Sequence, residues 1–475
     1  MKRHLIPAVL CLALLAAACG TDAAKNSGNG STGDSTTTSA ASGSAASDKF
    51  GTIDSPCGKD VDGKKVTVKA DEAGTGADKL YLGVANDRTS TIRPGVLQEM
   101  WDTSQAFVKW CNDQGGIGGL PIEIVDLDAQ LLSVEKAMAT ACTKTFAMVG
   151  GGFVSDQLMF SGKDGSDFHK CKLINVPAIA VSPQATEGNG MIQPLPNGAY
   201  EKSNAWFKQL VTLYPEEMKK VSEVWGNLPS LKSNQEQNMA VAKTVEGVGT
   251  VSDVSYDYAG PDWSLVAQQI KDVGATAVNF VGEPANLAAL NQALKAQNFK
   301  GIVFADANEA DPILFSTAGN EAAEGIIVRE AVHPFDEADK WPAVKQYLQI
   351  MKDDGPTNGK IAALGIQSFS SWLLFATAAD KCAKASGGEL SRDCVMDAAF
   401  SITSWTAGGL HSESDPGGKH TPKCSMLVQA KGGEFTRLAP KIGDKDADKD
   451  GFFCADLVTL TGDFGKGNVD PTRKH

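Results

Sequence analysis

Four glycines, Gly115, Gly116, Gly118 and Gly119 in the run CNDQGGIGGLPIEIVDLD, are the first residues whose type and spacing could do chemistry. A glycine-rich loop that follows a strand and opens a helix lets main-chain amides and the helix N-terminus cradle a phosphate. Here the order is reversed, because the glycines follow a helical pattern and precede a strand pattern. They therefore read as a helix C-cap and tight turn that need positive φ. No GxxxxGKS/T run occurs elsewhere, so a phosphate site is not expected.

Three other residue sets invite chemistry. In DKDADKDGFF, the aspartates Asp446, Asp448 and Asp450 before Gly451 match the first half of a calcium loop, although Leu457 stands where such a loop places its closing glutamate. Calcium there, in a structural role, competes with a solvated acidic turn. Ten cysteines include Cys11 and Cys19 near the N-terminus. The eight that remain are an even number in a chain with an export signal, which argues for four disulfides; no paired CxxC spacing suggests zinc. Spacing alone leaves 105 connectivities open. Short loops favour Cys142 with Cys171 and Cys382 with Cys394, and leave Cys57 with Cys111 and Cys424 with Cys454 as one assignment of the rest. Of six histidines, His4 is in the leader and His475 is terminal. His169, His333, His411 and His420 fall in loops or at element ends, with no GxSxG or HExxH run and no acid pair, so an enzyme is not expected.

The elements that must position these residues alternate. KLYLGVAN, LPIEIVDLD, FAMVGGG and KLINVPAIAV read as strands, with helices over 96–112 and 134–145 between them. After a helix over 205–214 the alternation resumes with VSEVWG, VSDVSYDY, TAVNFVG, GIVFADA and GIIVREAV, and helices begin near Asn234, Asp262 and Asn286. Two α/β units with parallel sheets follow from this order. Helices over 341–353 and 362–384 come next, then a hairpin with Gly432 and Gly433 at its turn.

The N-terminus is a targeting signal. Lys2, Arg3 and His4 precede an apolar run from Leu5 to Ala18, shorter than the roughly 17–25 residues of a membrane span. Residues 19–50, rich in Ser, Thr, Gly and Ala, hold too little apolar surface to fold and read as a tether. The formal net charge of −13 becomes more negative once Lys2 and Arg3 are removed, which argues against a nucleic-acid partner.

LLAAAC, ending at Cys19, resembles the lipobox of bacterial lipoproteins, with the usual leucine displaced to Leu15; an ordinary cleaved signal is the alternative. From about Lys79 to Pro440 the chain resembles the type I periplasmic solute-binding proteins, in their branched-chain amino acid-binding (leucine-binding protein-like) branch. The resemblance is carried in order by WCNDQGGIGGLPIEIVDLDAQ, MVGGGFVSD, VPAIAVSPQAT, YDYAGPDWSLVAQQIKDVGATAVNFVG, AAEGIIVREA, ALGIQSFSSWLLFATAADKC and VQAKGGEFTRL. It implies an α/β fold of two Rossmann-like lobes joined by a three-strand hinge that close over a small solute. The organisation it suggests is a signal over 1–18, the tether over 19–50 and an N-terminal extension over 51–78. Lobe 1 then takes 79–198 and 336–410, and lobe 2 takes 199–335 and 411–475.

Ligands of open α/β sheets sit beyond the carboxyl ends of strands. The resemblance assigns the solute's α-carboxylate to Phe153, Val154, Ser155, Ala185 and Thr186, on two loops whose glycines, Gly150 to Gly152, let main-chain amides approach closely. For an amino group it points to Asp306 or Glu309. The tyrosine that relatives carry after the first strand of lobe 2 is missing. Arg88 and Arg93, where many relatives are uncharged, would favour an acidic or amide solute if they faced the cleft, and Arg88 is the candidate ligand residue. The function implied is the lipid-anchored binding component of an ABC importer at the extracytoplasmic face of the cell membrane. It would capture an amino-acid-like or other small polar solute and meet permease and ATPase subunits. A ligand-sensing or adhesion lipoprotein would use the same fold without transport.

Overall fold

A computed structural model of the chain describes residues 49–475, apart from 73, 75–77 and 163–165. The signal at 1–18, the lipidation candidate Cys19 and the tether as far as residue 48 lie outside the described residues. Among the described residues, no helix is long and apolar enough to cross a membrane.

Strand β1 (Leu80–Asn86) is an inner strand of a four-stranded parallel sheet. Its partners are β2 (Ile122–Asp128), β3 (Ala147–Val149) and β4 (Asn175–Val176), in the order β2–β1–β3–β4. Side chains alternate across the pleat. Leu80, Leu82 and Val84 therefore join one core with Phe107 and Trp110 of helix α1 (Gln98–Asp113). Ala85 turns the other way, to Val134, Met138 and Ala141 of α2 (Val134–Lys144). The glycine turn between α1 and β2 has φ of 116°, 82°, 56° and 87° at its four glycines, the region that side chains avoid. Asn112 straps this turn, since its side chain donates to the Ile122 carbonyl at 2.9 Å and accepts from the Ile122 amide at 2.8 Å.

The second sheet starts after α3 (Ala205–Leu213). Strands β5 (Val221–Gly226), β6 (Thr250–Tyr256), β7 (Ala277–Val281), β8 (Ile302–Ala305) and β9 (Ile327–Glu330) pair in parallel in the order β6–β5–β7–β8–β9. The crossovers are α4 (Pro229–Ala242), α5 (Trp263–Asp272) and α6 (Pro284–Ala296). The hairpin of β10 (Cys424–Lys431) and β11 (Glu434–Ala439) extends the sheet antiparallel to β9, with Gly432 and Gly433 at positive φ in its turn. In both sheets the strand order reverses between the first strand and the third, which opens a crevice at the carboxyl ends.

Helices α7 (Pro342–Asp354) and α8 (Ala363–Ser386) pack on α1, which returns the chain to the first sheet. Helix α8 buries nearly its whole circumference, including Phe369, Trp372 and Phe375. The last residues of the expected tether, Lys49–Phe50, and the stretch expected as an extension belong to this core. Phe50 is fully buried with its ring 4.9 Å from Phe369, and Thr67–Val68 pairs with Glu389–Leu390 beyond α8. The chain end also departs from the expected grouping of 411–475 with lobe 2. His475 accepts from the Gly190 amide at 2.7 Å, and Lys474 meets Asp397 of α9 (Arg392–Phe400) at 2.7 Å, both on the side of the four-stranded sheet.

Four disulfides staple these layers: Cys57–Cys111, Cys142–Cys171, Cys382–Cys394 and Cys424–Cys454. Each ties a segment of little regular structure, or a helix end, to a core element, where closing the loop restricts the unfolded chain most usefully.

Candidate functional site

The loops that leave β1, β3, β7 and β8 at their carboxyl ends face one another across a cleft between the two sheets. Its first chamber, about 920 Å³ of non-protein space including its mouth, has apolar walls from Leu97, Val154, Ile179, Leu231, Phe280 and Leu364. A second chamber shares Ile179, Val181, Asp306 and Leu364 with the first and adds polar groups: Lys202, Arg329, Gln193, Asn238 and Gln367.

Side chains from the two halves meet across this cleft. Arg93, on the loop after β1, reaches Glu283 after β7 at 2.6 Å and Asn286 of α6 at 3.2 Å, donates to the Tyr258 carbonyl, and lies 5.0 Å from the Tyr258 ring centre. Ser230 of α4 donates to the Val154 carbonyl at 2.9 Å. Lys360, just before α8, binds Glu99 of α1 at 2.9 Å and Asp311 beyond β8 at 2.6 Å. Burial opposes the Lys360 charge, yet the two carboxylates outweigh it and hold the amine above its ordinary range. Burial pushes the Glu99 carboxyl up, against the pull of Lys360. Charges this dry are tolerable only when matched, and each is matched from the opposite wall or a neighbouring helix.

The structure brings together only part of the expected site. Phe153 and Val154 line the first chamber, and Asp306 lines both. Ser155, Ala185 and Thr186 lie outside the lining; Ala185 is buried, and the Thr186 hydroxyl is buried without a partner. Of the amides expected to receive a carboxylate, those of Val154, Ala185 and Thr186 are already engaged. Gly150 donates to Val176 and Gly152 to Ala85, while the Val154 amide is held at 2.9 Å by Asp87, a fully buried acid that also caps Leu131 at 2.7 Å. On the second loop Asp156 accepts from the amides of Val181 and Ser182 at 2.7 and 3.0 Å, and Ser182 accepts from Ala185 and Thr186. Burial pushes both acids, Asp87 and Asp156, up to about 6 in spite of these bonds. The three glycines serve packing instead, since a Cβ at Gly150, Gly151 or Gly152 would strike Trp372, the Ala85 main chain or Ile179.

Arg88 departs furthest from its expected place. It turns from the cleft to Asp126 at 2.7 Å and Asp128 at 3.5 Å on β2, and stacks over Trp101 at 4.1 Å. Asp306 is paired with Arg329 at 2.5 Å. Glu309 is buried behind the wall, one oxygen bonded to Asn308 and the other unpartnered, with its carboxyl pushed well up by burial and by Glu283. Tyr258, at the end of the β6 segment, supplies an aromatic wall in the first chamber.

The calcium candidate does not assemble. The Asp448 carboxylate accepts from the amides of Asp450 and Phe452 at 2.9 and 2.8 Å and so caps its own turn. Among the described residues, the one group of three donors close enough to share an ion is Cys424, Asp448 and Cys454, and its two sulfurs are joined as a disulfide; Asp446, Asp448 and Asp450 do not form such a group.

Residues 79–434 match the sequence profile of a family described as periplasmic binding protein. No curated protein sequence matches the chain. Its fold is similar to several solved structures. A fatty acid ABC transporter substrate-binding protein from Thermomonospora curvata is 15% identical with a TM-score of 0.62, over 83% of this chain and 94% of that one. A leucine-binding protein from Thermotoga maritima is 18% identical with a TM-score of 0.61, over 76% and 98%. A branched-chain amino acid ABC transporter protein from Thermus thermophilus, solved with valine, is 14% identical with a TM-score of 0.63, over 76% and 95%.

Proposed function

This chain belongs to the periplasmic binding protein family, and we propose that it is the lipid-anchored solute-binding component of an ABC importer, holding a small organic solute by lobe closure. The observation that carries this reading is the set of contacts across the cleft, Arg93 to Glu283, Ser230 to Val154 and Lys360 to Asp311. They join loops at the carboxyl ends of the first sheet, and the segment before α8, to the loops and helix start at the carboxyl ends of the second, and can all part if the halves swing open. A solute touching both walls then stabilises the closed form over the open one. Micromolar affinity corresponds to about 8 kcal/mol, part of which is offset by the cost of closing.

Among the described residues lining the cleft, the Ser203 and Thr421 hydroxyls donate to main-chain carbonyls and not to a base, which supports capture without reaction. The closed form would be presented to a permease, with Cys19 holding the chain at the extracytoplasmic membrane face through two or more acyl chains. The solutes named for similar folds range from valine to fatty acid, and at such low identity they do not choose one for this chain. The test is a thermal-shift screen of amino acids, amides and small acids on the secreted chain, followed by small-angle scattering with each solute that raises the melting temperature. Compaction on binding is expected; tight binding with unchanged scattering would remove closure from the account.

A further inference from the structure

Three cations of the cleft are paired with its four carboxylates, and a fourth cation is paired with none of them. Each carboxylate lining it meets a protein cation: Glu283 meets Arg93, Glu99 and Asp311 share Lys360, and Asp306 meets Arg329. Lys202 has no such partner among the described residues. It sits on a short strand, Glu201–Ser203, that pairs with Leu457–Thr459, and its amine in the second chamber donates only to the neutral side chain of Asn197. The residue is 8% exposed. Asp306 and Glu187 attract its charge and Arg329 repels it, but burial dominates and pulls the amine down to about 7. A dry amine without an anion is costly to keep charged.

A second observation points the same way. Of the main-chain amides expected to receive a solute carboxylate, that of Val154 is held by the protein's own Asp87, and those of Ala185 and Thr186 donate to the Ser182 carbonyl. An anionic solute therefore finds its matching charge in the other chamber. Among the residues the two chambers share, Ile179, Val181 and Leu364 form an apolar strip beside the polar Asn234, Asp306 and Asn308. No lining carboxylate is left without a cation to receive a solute ammonium.

We propose that the solute is an amphipathic organic acid whose carboxylate pairs with Lys202 while its apolar body lies along Ile179, Val181 and Leu364, with no amino group required. This rests on the solute-binding reading above and narrows it. The test uses two isosteric series on the secreted chain: 4-methylpentanoate, 4-methylpentanamide and leucine, then 3-phenylpropanoate, 3-phenylpropanamide and phenylalanine. In at least one series the acid binds, and the amide binds about 10- to 100-fold more weakly, as expected for a hydrogen bond to a charged partner. The amino acid gains nothing over the acid. Lys202→Met lowers acid affinity by a similar factor and leaves the amide unchanged.

A readout that needs no variant is proton linkage. At pH 8 free Lys202 is mostly neutral and becomes charged on binding, so calorimetry in buffers of different ionisation enthalpy gives uptake of about one proton per acid bound, vanishing near pH 6. Acid affinity falls about tenfold per pH unit above 7. Equal binding of acid and amide, absence of proton uptake, or a requirement for the amino group overturns the assignment and leaves solute binding intact. If no acid binds but another solute does, the assignment falls alone. If neither series nor the wider screen yields a ligand, the solute-binding reading falls with it.

Discussion

Replacing Arg93 by alanine removes the guanidinium that reaches Glu283 at 2.6 Å and Asn286 at 3.2 Å across the cleft. Both side chains of the ion pair are largely dry, 16% and 10% exposed, so the variant's closed form buries the Glu283 carboxylate without its cation. Removing one member of a buried pair costs about 3–5 kcal/mol, and residual exposure reduces this to about 2–3 kcal/mol here. The cost falls on the closed form alone, because an open cleft returns Glu283 to water. Affinity for a solute found in the screen should therefore fall roughly 30- to 150-fold by calorimetry. The melting temperature without solute should move much less. Burial already pushes the Glu283 carboxyl up, with Arg93 pulling it down. Without Arg93 it rises further, so the closed form of the variant binds an extra proton and affinity recovers as pH falls. Glu283→Gln in the Arg93→Ala background should recover most of the loss at neutral pH. Unchanged affinity in Arg93→Ala, or a loss of equal size at every pH, would refute the latch.

Three other perturbations follow from the same geometry. Lys360→Met strands Glu99 and Asp311, whose side chains are 2% and 6% exposed, and should cost about 3–5 kcal/mol in urea unfolding at pH 8, less at pH 5 where Glu99, raised by burial, takes up a proton. Glu223 on β5 is fully buried, bonded to Asn279 at 2.8 Å and raised by burial to about 8. Its native state holds a proton that the unfolded state has lost above the ordinary carboxylate range, so the native state loses stability as pH rises towards 8. Glu223→Gln should relieve this by about 4 kcal/mol at pH 8, with little gain at pH 4. Replacing Cys57 and Cys111 together by alanine opens a loop with a sequence separation of 54 and should lower stability by about 4 kcal/mol on the chain-entropy account, visible as a lower urea midpoint and earlier proteolysis within 51–78.

What the sequence made legible was local. The glycine turn at 115–119, the alternation of strands and helices, and the hairpin at Gly432 and Gly433 depend on neighbours along the chain, and each stands in the structure where expected. The even cysteine count pointed to four disulfides, and four are present. The helices expected to begin near Asn234 and Asn286 start earlier, at Pro229 and Pro284; proline suits the first helical position, where its missing N–H is not needed. The strand expected through KLINVPAIAV shrinks to Asn175–Val176 because Pro177 follows and cannot donate to a ladder.

The site was less legible because its chemistry is long-range. Arg88 and Arg93 share one loop, and only the fold turns the first to Asp126 and the second across the cleft. The acids that fill the two amide loops come from elsewhere in the chain. Asp87 lies 67 residues before Val154, and Asp156 lies 25 residues before Val181. Lys202 looks like any surface lysine until its strand is covered by Leu457–Thr459. No spacing rule sees a charge that becomes buried through a contact more than two hundred residues away.

The central claim is that two sheets close over a solute held by groups from both. Small-angle scattering of the purified chain, titrated with a solute that raises its melting temperature, tests this most directly. The account predicts a smaller radius of gyration at saturation in the wild type, and more solute needed for the same change in Arg93→Ala. A tightly bound solute that leaves the scattering curve of the wild type unchanged would contradict it.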